Sequence, residues 1–201
     1  INKIIRLPEQ LQHLLQHGAC IGQQFRLDTL ALVTGLDRGH IQETLSQAIH
    51  DGLLHSIAAG NLDEPTNITY KFLHDRVYQA VYSLLPDERK QELHLQIGRI
   101  LERHSVKSGT LDENAFDIAN QLNLGAAGMD SDEERLRLAA LNCTACRQAK
   151  RTSAYETGLR FALNGYQLLP EHAWTTHYEL AFALQLDKAE LEYLCEIGRA
   201  S

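Results

Sequence analysis

The sequence lacks the features of a secreted, disulfide-bonded or membrane-inserted protein. Its 201 residues include four cysteines, too few and too scattered for a disulfide scaffold, so we expect a reducing, cytoplasmic location. No apolar run approaches the roughly 20 residues of a membrane-spanning helix, and no signal-peptide pattern opens the chain. With 44% apolar and 22% charged residues, the composition is typical of a soluble globular protein rather than a disordered or fibrous one. We expect no membrane partner.

Basic residues are scarce as well. Nineteen Lys and Arg stand against 26 Asp and Glu, which gives a formal net charge of −7. Between Arg38 and Lys71 the sequence contains neither Lys nor Arg. Because binding along a duplex depends on neutralising phosphates, we expect no nucleic acid among the partners.

Signatures of catalysis are missing too. The sequence contains no G-x-x-x-x-G-K-[ST], G-x-G-x-x-G or G-x-S-x-G motif, and no nucleophile and base with supporting spacing. Cys143 and Cys146 form a C-x-x-C, but they lie inside a predicted helix without a second pair, so we expect two small buried residues. His13 and His17 share a helix face without a third ligand, so we expect a solvated face. The sequence thus predicts no enzymatic activity, cofactor or metal within this chain.

The first part of the chain predicts a winged helix, which comprises three helices and a β-ribbon, over residues 1–85. The third helix begins after an N-cap at Asp37, and Asp28 is the expected N-cap of the second. An apolar run and an alternating run with Tyr70 and Phe72 on one side form the ribbon. The predicted segments are helices Glu9 to Cys20, Thr29 to Thr34 and the helix after Asp37, strands Leu53 to Ala59 and Ile68 to Leu73, and a loop Gly60 to Asn67.

From Pro86 onward the pattern is helical throughout, so the predicted fold class is mainly α. Residues 86–128 are expected to be connecting helices, and residues 129–201 to begin an array of antiparallel helical pairs of tetratricopeptide-like type. Setting Pro170 at the terminal proline of such a repeat places Cys146, Gly158 and Gly165 at its three small positions. The predicted helices are Asp87 to His104, Leu111 to Leu124, Asp132 to Arg151, Ser153 to Leu169, and two shorter helices after Pro170.

His74 and Asp75 lie where the second predicted strand meets a fourth helix, which Asp75 is expected to cap. Two interpretations of His74 remain open from the residues alone. It can be a buried turn residue whose hydrogen bonds are satisfied by the backbone. Alternatively, because helix N-termini favour anions, it can help to hold a phosphate presented by a neighbouring domain.

The segment from Phe72 to Leu85 resembles the "F-x-H-D-x-(hydrophobic)-x-x-A-x-Y" stretch of STAND-type signalling ATPases. These are large multidomain proteins that join an AAA-like ATPase to a protein kinase, a sensor histidine kinase or a LuxR-type activator. Similar segments on either side extend the resemblance over nearly the whole chain, although Glu102 stands where a second Leu is expected. These segments are Leu7 to Phe25, Pro86 to Leu101, and Trp174 to Leu194.

The resemblance implies a role for the His-Asp pair. In related proteins the winged helix folds back on the nucleotide domain, and the motif's His contacts the β-phosphate of ADP. The matching position is His74, with Asp75 supporting the turn, while Leu73 replaces a Met. ATP or ADP would then belong to an upstream ATPase domain of the same protein.

Because the chain starts at Ile1 without a Met and stops at Ser201 within a helical pattern, we expect it to be a piece of something longer.

The resemblance thus implies a non-catalytic regulatory segment of a signal-transduction ATPase. Its winged helix would sense the nucleotide state of the upstream domain, and its helical repeats would bind a protein partner or ligand. Two other function classes remain open. One is a protein-interaction scaffold without nucleotide sensing, and the other is a DNA-binding transcriptional regulator, against which the missing basic residues speak.

Overall fold

The computed structural model describes residues 2–58 and 68–200, and within these ranges the chain is mainly helical with a small three-stranded antiparallel sheet. The residues group into two compact units, Ile1–Ile100 and Leu101–Ser201. The division into domains at residues 1–85, 86–128 and 129–201 stays a prediction. No helix in the described ranges combines the length and the apolar content that a membrane crossing requires.

The first unit alternates helices with three short strands. Helix α2 is followed by strand β1, then by two helices, and then by the two strands that complete the sheet. The elements are α1 (Asn2–Ile5), α2 (Glu9–Ile21), β1 (Gln24–Arg26), α3 (Leu27–Thr34), α4 (Arg38–His50), β2 (Leu54–Ala58), β3 (Ile68–Phe72), α5 (Asp75–Ser83) and the first part of α6 (Asp87–Ser108). The predicted loop Gly60 to Asn67 lies outside the described residues.

Strand β3 is the centre of the sheet, because it pairs with both β1 and β2 in antiparallel register. Its alternating pattern buries Tyr70 and Phe72 and exposes Lys71, as the sequence predicted. The ring of Phe25 in β1 lies 5.7 Å from that of Tyr70 and 5.9 Å from that of Phe72. These rings join buried leucines and isoleucines of the helices in one core, which fixes β3 and the residues that follow it.

Two of the predicted helix boundaries in this unit need comment. The Asp37 cap is confirmed, since its Oδ1 accepts hydrogen bonds from the amides of Gly39 at 2.8 Å and His40 at 3.2 Å. The Asp28 cap is wrong, because α3 begins at Leu27, two residues before the predicted Thr29, and Asp28 lies in its first turn, with its carboxylate 2.9 Å from Arg38. The sequence predicted only a break between α2 and α3, whereas β1 forms there as a third strand.

The second unit is built from helices. Helix α8 packs against α7, α9 and α11. The elements are α7 (Ala115–Gly125), a short 3-10 turn (Ala126–Gly128), α8 (Asp132–Arg151), α9 (Tyr155–Gln167), α10 (Ala173–Thr176) and α11 (Tyr178–Ala200). The prediction of two shorter helices after Pro170 is wrong in length, because α10 has 4 residues and α11 has 23.

Small residues lie where these helices approach one another. A Cβ on Gly165 would stand 2.8 Å from Cδ2 of Leu184 and 3.0 Å from Cβ of Asn142. A Cβ on Gly158 would stand 3.2 Å from Cδ1 of Leu191, and Cys146 is fully buried. The three residues that the sequence singled out as small therefore occupy close helix contacts or the core.

Candidate functional site

The candidate site is the junction between β3 and α5. His74 is the N-cap residue of α5, with extended backbone at φ −139° and ψ 144°, and its side chain makes no capping hydrogen bond. Its carbonyl accepts the amides of Val77 at 2.9 Å and Tyr78 at 3.2 Å. The imidazole is exposed, so the interpretation of His74 as a buried turn residue is wrong. The predicted cap at Asp75 is also wrong, because Asp75 is the first residue of the helix.

The two neighbouring strands and their flanking residues hold this junction in place. Oδ1 of Asp75 accepts a hydrogen bond from Nε2 of Gln23 at 3.2 Å, and the carbonyl of Gln23 accepts the amide of Phe72 at 3.0 Å. On the other side, the amide of Leu73 donates to the carbonyl of Leu53 at 3.0 Å. The backbone that carries His74 is thus fixed by contacts from the segments beside β1 and β2.

A row of aromatic side chains anchors α5 behind the site. The ring of Tyr78 lies 5.6 Å from that of Phe72 and 6.0 Å from that of Tyr82. The hydroxyl of Tyr82 and Nε2 of the buried His94 are hydrogen-bonded at 2.9 Å. Burial raises the pKa of the nearby Cys20 thiol to about 12. These groups pack α5 against the core.

Chemically, the junction is suited to receive an anion. The N-terminus of an α-helix carries a partial positive charge, and α5 is a nine-residue helix whose N-cap side chain leaves its first amides uncapped. The imidazole of His74 stands at that position and can donate a hydrogen bond. The carboxylate of Asp75, which an incoming anion would meet as a like charge, is hydrogen-bonded to Gln23.

The C-x-x-C pair lies inside α8, and both thiols are buried. Burial is the main cause that raises the pKa of both, to about 12 for Cys146. The expectation of two small buried residues is confirmed. Within residues 2–58 and 68–200, no group of three or more His, Cys, Asp and Glu side chains is arranged to hold a metal ion.

His13 and His17 line an open groove of about 290 Å³ on the first unit. His13 is exposed as expected, but His17 is half-buried and its Nδ1 lies 2.8 Å from the carbonyl of His13. Burial lowers the pKa of His17 and so favours its neutral form. His40 of α4 lines the same groove. The sequence does not indicate this arrangement, because α2 and α4 are distant in the sequence and contact each other only in the folded unit.

Helix α4 would face DNA in a DNA-binding winged helix. Its surface is polar, and the Arg in its first turn is paired with a carboxylate. Glu43, Ser46, Gln47 and His50 are exposed on it. Arg38 at its start lies 2.9 Å from the carboxylate of Asp28, so its charge is already paired. Asp63 and Glu64, which belong to the predicted loop Gly60 to Asn67, lie outside the described residues.

Comparison with known proteins gives one informative similarity. Over 247 aligned positions that take in 96% of this chain, it is 28% identical to hybrid signal transduction histidine kinase G of Dictyostelium discoideum. The chain spans only 7% of the length of that curated relative. No protein-family model matches the chain, and no solved structure matches it.

Proposed function

We propose that this chain is a non-catalytic regulatory segment of a STAND-type signal-transduction ATPase. In this proposal the first unit is a winged helix that senses the nucleotide state of an upstream ATPase domain, and His74 contacts the phosphate of bound ADP. Asp75 supports the turn. The helical second unit is of tetratricopeptide-like type and binds a partner or ligand. Nucleotide, Mg²⁺ site and output activity belong to other parts of the protein.

The observation that carries the proposal is the exposed imidazole of His74 at the uncapped N-terminus of α5. A phosphate that approached this point would meet an imidazole N–H together with the amides of Asp75 and Arg76, the first two residues of the helix. The hydrogen bonds of Leu73 and Asp75 hold the backbone on both sides of His74. An imidazole carried by a backbone that is held in this way can respond to whether ADP is bound next to it.

Two further observations support the proposal. The order helix, strand, helix, helix, strand, strand, with the sheet order β1-β3-β2, is the arrangement expected of a winged helix. The similarity to a protein named a hybrid signal transduction histidine kinase, along nearly the whole chain, favours a role in signal transduction. Both observations support a regulatory role of the His-Asp junction over a role in DNA binding.

The proposal is tested on a longer part of the parent protein, which consists of this chain and the roughly 250 residues, about one domain, that precede it. The purified protein is denatured, and the ADP and ATP that it releases are quantified. We expect stoichiometric ADP from the wild type and its loss in His74→Ala. His50→Ala, which removes another exposed histidine of the same unit, is the control and should retain ADP. Retained ADP in His74→Ala would reduce His74 to a structural residue.

The second candidate is a protein-interaction scaffold in which the winged helix is only a structural block. Exposed apolar side chains of α10 and α11, among them Trp174, Tyr178 and Phe182, favour this candidate. Absence of ADP and ATP from every variant of the extended protein would support it over nucleotide sensing.

A further inference from the structure

Helices α10 and α11 carry a row of large apolar side chains in solvent, which we call the apolar stripe. It consists of Trp174, Tyr178, Phe182, Leu186 and Tyr193, whose exposed fractions run from 42% to 65%. The opposite face of α11 is buried through Ala181, Leu184 and Leu191. The stripe is therefore additional to the face with which α11 packs into its own unit.

The stripe is continuous and ordered. Tyr178, Phe182 and Leu186 follow one another at intervals of four residues, which places them on one side of α11. Trp174 belongs to α10 and joins them through its contact with Tyr178. The rings of Trp174 and Tyr178 are 6.0 Å apart, and those of Tyr178 and Phe182 are stacked at 5.8 Å. From Tyr178 to Tyr193 the stripe extends about 22 Å along α11. This is the length of contact that a helix of four turns makes with a partner helix.

Acidic side chains border the stripe. On a helix of 3.6 residues per turn, Glu179 and Glu190 lie along one edge and Glu192 along the other, and all three are exposed. Lys188 lies beyond Glu192, with its Nζ 3.8 Å from the Glu192 carboxylate. Lys150 of α8 contacts Glu190 at 2.5 Å. Glu190 and Glu192 are therefore already paired with lysines of the same chain, and Glu179 adds a further carboxylate to the rim of the stripe.

We propose that the apolar stripe binds an amphipathic helix whose apolar face is flanked by Lys or Arg. The stripe would take up apolar side chains spaced at i, i+3, i+4 and i+7, and Glu179 would pair with a flanking cation. A second copy of this chain would bring glutamates to the same rim, two of them already paired with its own lysines, and so fits the charge of Glu179 less well than a basic helix does. The inference rests on the partner-binding half of the proposed function and names its partner class.

Trp174 makes the proposal directly measurable, because it is the only tryptophan in the chain and it lies on the stripe. The probes are two Trp-free helical peptides, each about 18 residues or roughly 27 Å long. They share one face of Leu and Phe and carry either Lys or Glu beside it. Titration of the Lys peptide into the 201-residue chain should shift Trp174 emission to shorter wavelength, and the shift should saturate and become weaker at high salt.

Variants locate the binding surface. Phe182→Asp should weaken binding of the Lys peptide at least tenfold, since it places a charge in the centre of the stripe. Val106→Asp is the matched control, because Val106 is 59% exposed in the same unit but does not belong to the stripe, and it should bind as the wild type does. Glu179→Lys should weaken the Lys peptide and strengthen the Glu peptide. Circular dichroism melts verify that each variant is folded.

Three results would overturn the inference. Equal affinity for the two peptides would reject a basic partner while leaving partner binding itself intact. Self-association in sedimentation velocity that Phe182→Asp abolishes would assign the stripe to a second copy. No emission shift with either peptide would reject a helical partner at this surface. None of these results affects ADP retention, so failure of this inference is distinguishable from failure of nucleotide sensing.

Discussion

Individual side chains at the β3–α5 junction have separate tasks. Asp75 and Gln23 hold the turn through a 3.2 Å hydrogen bond, and Phe72 anchors it in the core, where it is 3% exposed. His74 is left with an exposed imidazole and only its backbone in the helix cap. This separation means that the side chain of His74 can be changed without removing a contact that folds the unit.

Buried thiols give a prediction about stability at alkaline pH. Burial raises the pKa of Cys146 from 9.0 to about 12, so the folded state keeps the proton that the unfolded state loses above pH 9.0. The free energy of unfolding should therefore fall as the pH rises from 9 toward 12, by up to about 1.4 kcal/mol per pH unit from this residue. Urea unfolding of wild type and Cys146→Ala at several pH values measures it, and the variant should show the shallower decline. Parallel curves would contradict the assignment.

At the scale of elements, helix contacts decide the architecture of the second unit. Helix α8 meets α9 and α11 at positions occupied by small residues, and its Asn142 exchanges two amide hydrogen bonds with Asn123 of α7 at 2.8 and 2.9 Å. These close approaches leave little room for added atoms. Substitutions at the two glycines of α9 should therefore differ in effect according to what lies opposite them.

Gly165→Ala should destabilise the second unit by about 1–3 kcal/mol, the usual cost of overpacking. The added Cβ would meet Leu184, Asn142 and the carbonyl of Ala139 at 2.8, 3.0 and 3.3 Å. Gly158→Ala is the matched variant, because its Cβ would meet the side-chain methyls of Leu191 and Ala149 at 3.2 Å or more. There the gain in helix propensity offsets the crowding, and the change should stay below about 1 kcal/mol. Urea unfolding compares them, and equal losses would contradict the packing.

The sequence predicted the helices with strong periodicity and clear end signals, such as α4 with its Asp37 cap. It missed β1 because three residues with one buried side chain, Phe25, provide no alternation, and their pairing partner lies some 45 positions later in β3. It placed caps at Asp28 and Asp75 because Asp is a common N-cap, whereas the helix begins two residues earlier than predicted at the first site and one residue earlier at the second. The exposure of His74 depends on tertiary packing, which local sequence does not encode.

For the whole molecule, the formal net charge of −7 is the property with the broadest consequence. It opposes association with polyanions and favours basic partners, which agrees with the glutamates beside the apolar stripe. The order of helices and strands in the first unit would by itself also suit a DNA-binding protein, so charge is the property on which we distinguish the two functions.

We therefore predict no DNA binding by this chain. In a gel shift with duplex DNA at about 50 mM salt, where electrostatic binding is strongest, micromolar protein should leave the DNA unshifted. The variant Glu43→Lys/Gln47→Lys carries two added lysines on the exposed face of α4. It tests whether this helix is accessible to DNA, and it should bind the duplex more tightly than the wild type does. A salt-sensitive shift with the unaltered chain would favour a transcriptional regulator.

The most direct test of nucleotide sensing is the affinity for ADP of the parent protein that includes the upstream domain. Titration of ADP into the nucleotide-free protein should give a Kd at least about tenfold higher for His74→Ala than for the wild type, since a hydrogen bond to a charged group contributes about 1.5–3 kcal/mol. His50→Ala should match the wild type. Equal ADP affinity in wild type and His74→Ala would contradict the central claim that this histidine reads the bound nucleotide.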